Sequence, residues 1–183
     1  MALKATIFKA DLQVADMDRH YYAEHALTIA RHPSETDERM MLRVLAFGLF
    51  AHADLAFTRG ISETDEPDLW RKDLTGAIEE WIEIGQPDER RLLKGCGRAT
   101  RVVVLCVGSH GGRLWWDGCA ARLERARNLT VLSLPQSTAQ ELGRLARRTM
   151  RLQCTIQDGV IWFGDDSATV EVVLERWREP AAG

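Results

Sequence analysis

Pro67-Asp68-Leu69-Trp70-Arg71-Lys72-Asp73-Leu74-Thr75-Gly76-Ala77-Ile78-Glu79-Glu80-Trp81-Ile82-Glu83-Ile84-Gly85-Gln86 is the stretch around which the chain is organised. Two strand-like runs flank Thr75-Gly76, which predicts a β-hairpin. If Leu74 and Ala77 close the turn, Lys72 faces Glu79 and Trp70 faces Trp81 on one side, while Arg71 faces Glu80 and Leu69 faces Ile82 on the other. Each is a favourable cross-strand pair of roughly 0.2–1 kcal/mol. The same register sets Asp68 opposite Glu83, on the tryptophan face. Two unit charges about 5 Å apart at an effective dielectric of about 20 repel by roughly 3 kcal/mol, more than any one favourable pair supplies. Bulk water, a shared proton, a neighbouring Lys or Arg, or a divalent cation must therefore neutralise them.

The 183 residues, 45% hydrophobic and 28% charged, suit one globular domain over 1–183 with a sizeable core. A formal net charge of −3 excludes nucleic-acid binding through bulk charge, so such contact requires a local basic face. The N-terminus Met1-Ala2-Leu3-Lys4-Ala5-Thr6-Ile7 lacks the apolar segment of a signal peptide, and the apolar run Val102–Val107 is too short for a bilayer. The expectation is a cytoplasmic protein without a membrane partner. Its oligomeric state is open. Cys96, Cys106, Cys119 and Cys154 show no Cys-x-x-Cys spacing and read as reduced, mostly buried thiols.

Outward from the hairpin, Leu3 to Val14 and Tyr21 to Arg31 alternate as two strands joined at Asp16-Met17-Asp18. Histidines 20 and 25 point to opposite sides of that ribbon and cannot share a metal. Ser34-Glu35-Thr36-Asp37 predicts a helix start with Ser34 as N-cap, running to about Ala53. Glu38, Leu42, Leu45 and Leu49 fall on its inner stripe, Arg39 and Arg43 on its outer one. Glu38 either favours the helix dipole or points into a polar site. Residues of about 55 to 66 are irregular.

After the hairpin, Pro87 suits the first position of a helix reaching about Arg98, with Arg90, Lys94 and Arg98 as a basic stripe. Arg101 to Val107 is a strand covered on both faces. Gly108-Ser109-His110-Gly111-Gly112 then turns into a helix of about Leu114 to Arg125, followed by a strand near Leu129 to Leu134 and a helix from about Ser137 to Arg148. The glycine-rich turn lacks the spacing of a nucleotide-binding loop, and Ser109 beside His110 makes a poor nucleophile and base. Arg144, Arg147, Arg148 and Arg151 read as the basic end of a helix. Runs of about Arg151 to Gln157, Val160 to Phe163 and Ala168 to Trp177 close the chain as strands. This totals about nine strands and four helices in an α/β fold, a mixed β-sheet flanked by helices with extra N- and C-terminal strands.

The segments Pro67-Asp68-Leu69-Trp70, Ile82-Glu83-Ile84-Gly85-Gln86-Pro87-Asp88 and Leu93-Lys94-Gly95-Cys96-Gly97-Arg98-Ala99 resemble the bacterial YaeQ family, and the similarity covers essentially the whole chain. The resemblance implies a compact variant of the PD-(D/E)xK, restriction-endonuclease-like fold and a Mg²⁺- or Mn²⁺-dependent site acting on nucleic acid. It casts Asp68 and Glu83 as metal ligands and Glu38 as the helix acid. The chain departs from the pattern at the lysine, because Gly85 stands two residues after Glu83. Gln86 or Lys94 would have to take that place. Otherwise the chain is a catalytically degenerate module that binds nucleic acid or protein, with the acidic run Glu63 to Glu66 and the basic helix faces as contact surfaces.

Overall fold

A long two-stranded ribbon opens the chain. In the computed structural model, which describes residues 4–182, the elements are β1 (Thr6–Asp16), β2 (Tyr21–Arg31), α1 (Asp37–Leu49), β3 (Leu55–Phe57), β4 (Leu69–Lys72), β5 (Ile78–Ile84), α2 (Glu89–Arg98), β6 (Ala99–Val107), α3 (His110–Cys119), β7 (Leu129–Leu134), α4 (Gln136–Arg144), β8 (Thr149–Gln157), β9 (Val160–Gly164), β10 (Thr169–Val172) and β11 (Glu175–Arg178). Contacts group the chain into two compact units. One contains the residues up to Ala51 with Ser137–Val173, the other His52–Gln136 with the residues from Leu174 onward.

The first unit is built on a five-stranded mixed sheet in the order β10-β9-β8-β1-β2, in which β1 is antiparallel to β2 and parallel to β8. Strict alternation places Phe8, Ala10, Leu12 and Val14 on one buried face with Leu27, Ile29, Met150, Leu152 and Cys154. Leu3, the expected start of β1, lies outside the described residues. Helix α1 approaches β8 closely at Gly48, where a Cβ would come within 3.0 Å of Cys154 Sγ. Three expectations for α1 are corrected. Thr36, not Ser34, is its N-cap and accepts from Arg39 N–H at 3.1 Å. Arg43 is buried rather than outward, because Glu35 is buried with it and accepts at 2.6 and 2.9 Å. Glu38 is exposed, since the buried run starts only at Met40 and continues without a polar stripe to Leu49.

The second unit holds a six-stranded mixed sheet, β11-β7-β6-β5-β4-β3, with β5, β6 and β7 parallel. The central place foreseen for residues 101–107 holds: Val102 to Cys106 are fully buried. Leu92 of α2 and Trp116 and Cys119 of α3 pack with Trp81, Val104 and Val131. Pro87 does not begin α2. Asp88 caps it instead, accepting from Arg91 N–H at 2.8 Å, a bond its carboxylate supplies one residue before the helix. Helix α3 starts and ends earlier than expected, because Ser109 caps it and a Cβ at Gly112 would collide with the Val107 carbonyl oxygen. Helix α4 ends at Arg144, short of Arg148.

The hairpin keeps its register at Leu69–Ile82, Trp70–Trp81 and Arg71–Glu80, then shifts so that Lys72 meets Ile78 and not Glu79. The cause is Asp73, whose carboxylate accepts from Thr75 N–H at 2.8 Å and Ala77 N–H at 3.0 Å, closing a wider turn with Gly76 at φ 86°. The last expected strand splits in two: β10 pairs with β9, and β11 pairs with β7 in the other sheet. With β3, this gives eleven strands among the described residues.

Candidate functional site

Asp68 lies one residue before β4, and Glu83 is next to last in β5. The backbone fixes Asp68 at both ends. Its N–H donates to Ile82 O at 3.0 Å, and its carbonyl accepts from Thr58 N–H at 3.1 Å. Both carboxylates are buried, each 2% exposed. Asp68 Oδ2 accepts the Ile84 N–H at 2.8 Å. Glu83 Oε1 accepts from Trp81 Nε1 at 2.9 Å and from Arg91 Nε at 2.7 Å.

Burial first, and then the Asp68 charge, push the Glu83 carboxyl up to about 7 against the opposing pull of Arg91 and of the Trp81 hydrogen bond. Of the four ways to neutralise the pair, the structure therefore supplies an arginine and a carboxyl that holds a proton close to neutral pH. Arg91 was not singled out by sequence reasoning, which followed the outer stripe Arg90, Lys94 and Arg98. The signal was its spacing: Arg91 lies four before Gly95, and Gly95 packs so closely that a Cβ would come within 3.0 Å of Trp81 Nε1. That places Arg91 on the sheet-facing side of α2.

Lys94 is half-exposed and pairs with Asp65, whose carboxyl its ammonium holds below the ordinary aspartate range. Arg98 donates to Asp65 O at 2.9 Å and lies over the Trp81 ring at 5.3 Å. Gln86 is exposed in the loop after β5, close to Gly111. Glu38 belongs to the other unit, where its Cγ would lie 2.7 Å from a Cβ at Gly143, beside an open cavity of about 470 Å³ lined also by Thr36, Asp37, Gln140 and Arg144. Asp68 and Glu83 thus flank one strand pair, with α2 supplying Arg91 directly and Lys94 one turn on.

Among the described residues no group of three or more His, Cys, Asp and Glu side chains is placed to hold a metal ion. Two carboxylates do not make a zinc cage. They match in number and hardness what Mg²⁺ takes from a protein, one or two carboxylates with water completing the shell. The four cysteines are unpaired, and burial pushes Cys106 and Cys154 up to about 12. No helix among the described residues is long and apolar enough to cross a membrane.

A family model described as YaeQ protein matches residues 1–174. The chain belongs to the YaeQ family. It is 46% identical to the uncharacterized protein YaeQ of Escherichia coli strain K12 over 181 residues, which cover 99% of this chain and 100% of that one, and equally to its counterpart in Salmonella typhi. The crystal structure of YaeQ from Xanthomonas axonopodis pv. citri superposes with a TM-score of 0.92 at 47% identity, covering 96% of this chain and 99% of that one. YaeQ from Pseudomonas syringae gives 0.91 at 36% identity, covering 96% and 97%. The two mixed sheets and four helices described above are therefore a YaeQ architecture.

Proposed function

We propose that this YaeQ chain is a nuclease-like phosphodiesterase of PD-(D/E)xK type, with Asp68 and Glu83 as the carboxylates that hold Mg²⁺ or Mn²⁺. One observation carries the reading: two buried carboxylates brought together by the β4–β5 pairing, with the Asp68 charge raising the cost of charge on Glu83, at the carboxyl end of parallel strand β5. Crevices at the carboxyl ends of parallel strands are where open α/β sheets take their ligands. The bound ion would supply Lewis-acid stabilisation of charge on a phosphoryl oxygen. The Ile84 N–H orients the Asp68 carboxylate, and Trp81 and Arg91 orient that of Glu83. Lys94, once parted from Asp65, would stand as the lysine nearest in sequence to the place that Gly85 leaves without one. Gln86 would offer an amide from the loop, whereas Glu38, beside Gly143 in the other unit, is left out of the proposed site.

Manganese titration by calorimetry tests this. Native protein should take up the ion, and Asp68→Asn and Glu83→Gln should each abolish the heat. Heat surviving both substitutions removes the metal site. Incubation with single-stranded, duplex and branched DNA and with RNA then reports cleavage, and activity untouched by Lys94→Ala discharges that residue.

A second reading has its own support. Gly85, the Lys94–Asp65 pair and the Arg91 guanidinium on Glu83 are what a chain would show if it kept the fold as a binding module and gave up catalysis. Metal uptake without cleavage of any of these substrates would select it.

A further inference from the structure

Helix α2 carries Arg90, Arg91, Lys94 and Arg98, a span of about 12 Å from first to last. Across it lies the acidic segment Glu63-Thr64-Asp65-Glu66. Arg91 donates to the carbonyls of Thr64, at 3.1 Å, and Glu66, Lys94 pairs with the Asp65 carboxylate, and Arg98 donates to Asp65 O at 2.9 Å. The base of this loop is pinned independently. Thr58 N–H donates to Asp68 O, Thr58 Oγ1 donates to Pro67 O and accepts Gly60 N–H at 2.9 Å.

From this geometry we infer that the α2 face is a phosphate-binding track for a nucleic-acid strand, and that residues 63–66 are an acidic strap lying on it as an intramolecular competitor. The inference deepens the proposed phosphodiesterase reading, because the track ends at the carboxylate pair: Arg91 holds both the strap and Glu83. The strap presents to α2 the kind of acceptors a phosphodiester presents, the carbonyls of Thr64, Asp65 and Glu66 and the charged Asp65 carboxylate, while Glu63 pairs with Arg59 and Glu66 accepts the Arg59 N–H at 3.1 Å. Its ion pair lies largely in solvent, with Lys94 44% and Asp65 71% exposed, so a polyanion can displace it without unfolding anything beneath. The chain as a whole carries a net charge of −3, which leaves this local face, not bulk attraction, to recognise phosphate.

Fluorescence anisotropy with labelled single-stranded DNA and RNA, in the presence of a chelator, tests the inference on the full chain. Glu63→Gln/Asp65→Asn/Glu66→Gln should bind about tenfold more tightly than native protein at low salt, with the gap closing as salt rises. Asp11→Asn/Glu24→Gln/Glu171→Gln changes net charge equally on an exposed sheet face of the other unit, and should not tighten binding. Arg90→Gln/Lys94→Gln/Arg98→Gln should lose binding and flatten the log–log salt slope by about 2. A strap variant no tighter than the sheet-face control, or an α2 variant that binds like native, overturns the inference, as does silence of the strap variant with both nucleic acids. Circular dichroism confirms folding of each variant. Because metal is chelated, the result stands apart from the manganese titration, and either can fail without the other.

Discussion

Glu83 sits in surroundings that work against its charge. Its carboxyl is raised from 4.5 to about 7, so the folded chain binds this proton more tightly than the unfolded chain does. The stability that Glu83 contributes is therefore fully present below about pH 4.5 and lost as pH rises through about 7, an effect of up to about 3 kcal/mol. Urea denaturation of native and Glu83→Gln protein at about pH 5 and about pH 8 measures it: the substitution should be relatively more favourable at the higher pH, and a pH-independent difference would refute the raised carboxyl. Arg91→Gln should act in the opposite sense. With the guanidinium gone the buried carboxylate is left uncompensated, so stability should fall by about 2–3 kcal/mol near pH 8 and by much less near pH 5. Asp68 and Glu83 were legible in the sequence because hairpin register brings like charges together whatever surrounds them. Arg91 was not, because a basic residue on a helix reads as solvated until the strand it covers is known.

Among the elements, α2 and β5 depend on one small residue. A methyl group at Gly95 would press on the Trp81 indole, which donates to Glu83. Gly95→Ala should cost about 1–3 kcal/mol and alter the near-ultraviolet signal of Trp81, read by denaturation and near-ultraviolet circular dichroism. Unchanged spectra would show that the contact can relax freely. Thr36→Ala, which removes the α1 cap, should cost about 1 kcal/mol by the same denaturation assay. The hairpin was legible from its cross-strand pairs, but its far end was not, since Asp73 recruits three groups of the turn and widens it. The start of α1 was displaced because two capping residues, Ser34 and Thr36, compete there. Arg43 was misplaced because an ion pair with Glu35 lets a charged side chain be buried on the stripe that periodicity assigns to solvent.

For the molecule as a whole, element order was largely legible and the partition into two sheets was not. Alternation reveals that a segment is a strand and not which neighbour it joins, so Ala168 to Trp177 read as one strand although β10 and β11 serve different sheets. The two units can be told apart by experiment. Removing residues from Leu174 onward strips β11 from β7 and takes away Trp177, over whose ring Arg113 lies at 4.3 Å, and Glu175, its ion-pair partner. Hydrogen exchange should then show faster amides in β7 and α3, with β1, β8 and β9 unchanged. Equal loss in both groups would mean that the units unfold as one.

The parallel pairing of β1 with β8 sets a timetable for synthesis. About 130 residues separate the two strands, and a ribosome adding about 5–20 residues per second delivers the second roughly ten seconds after the first. For that interval the nascent ribbon has its β1 edge bare and its apolar side chains Phe8, Leu12, Val14 and Ile29 without the strand that completes their sheet. The first structure this chain can make is thus the one that waits longest for its neighbour, and its survival in that window falls to whatever attends the emerging polypeptide.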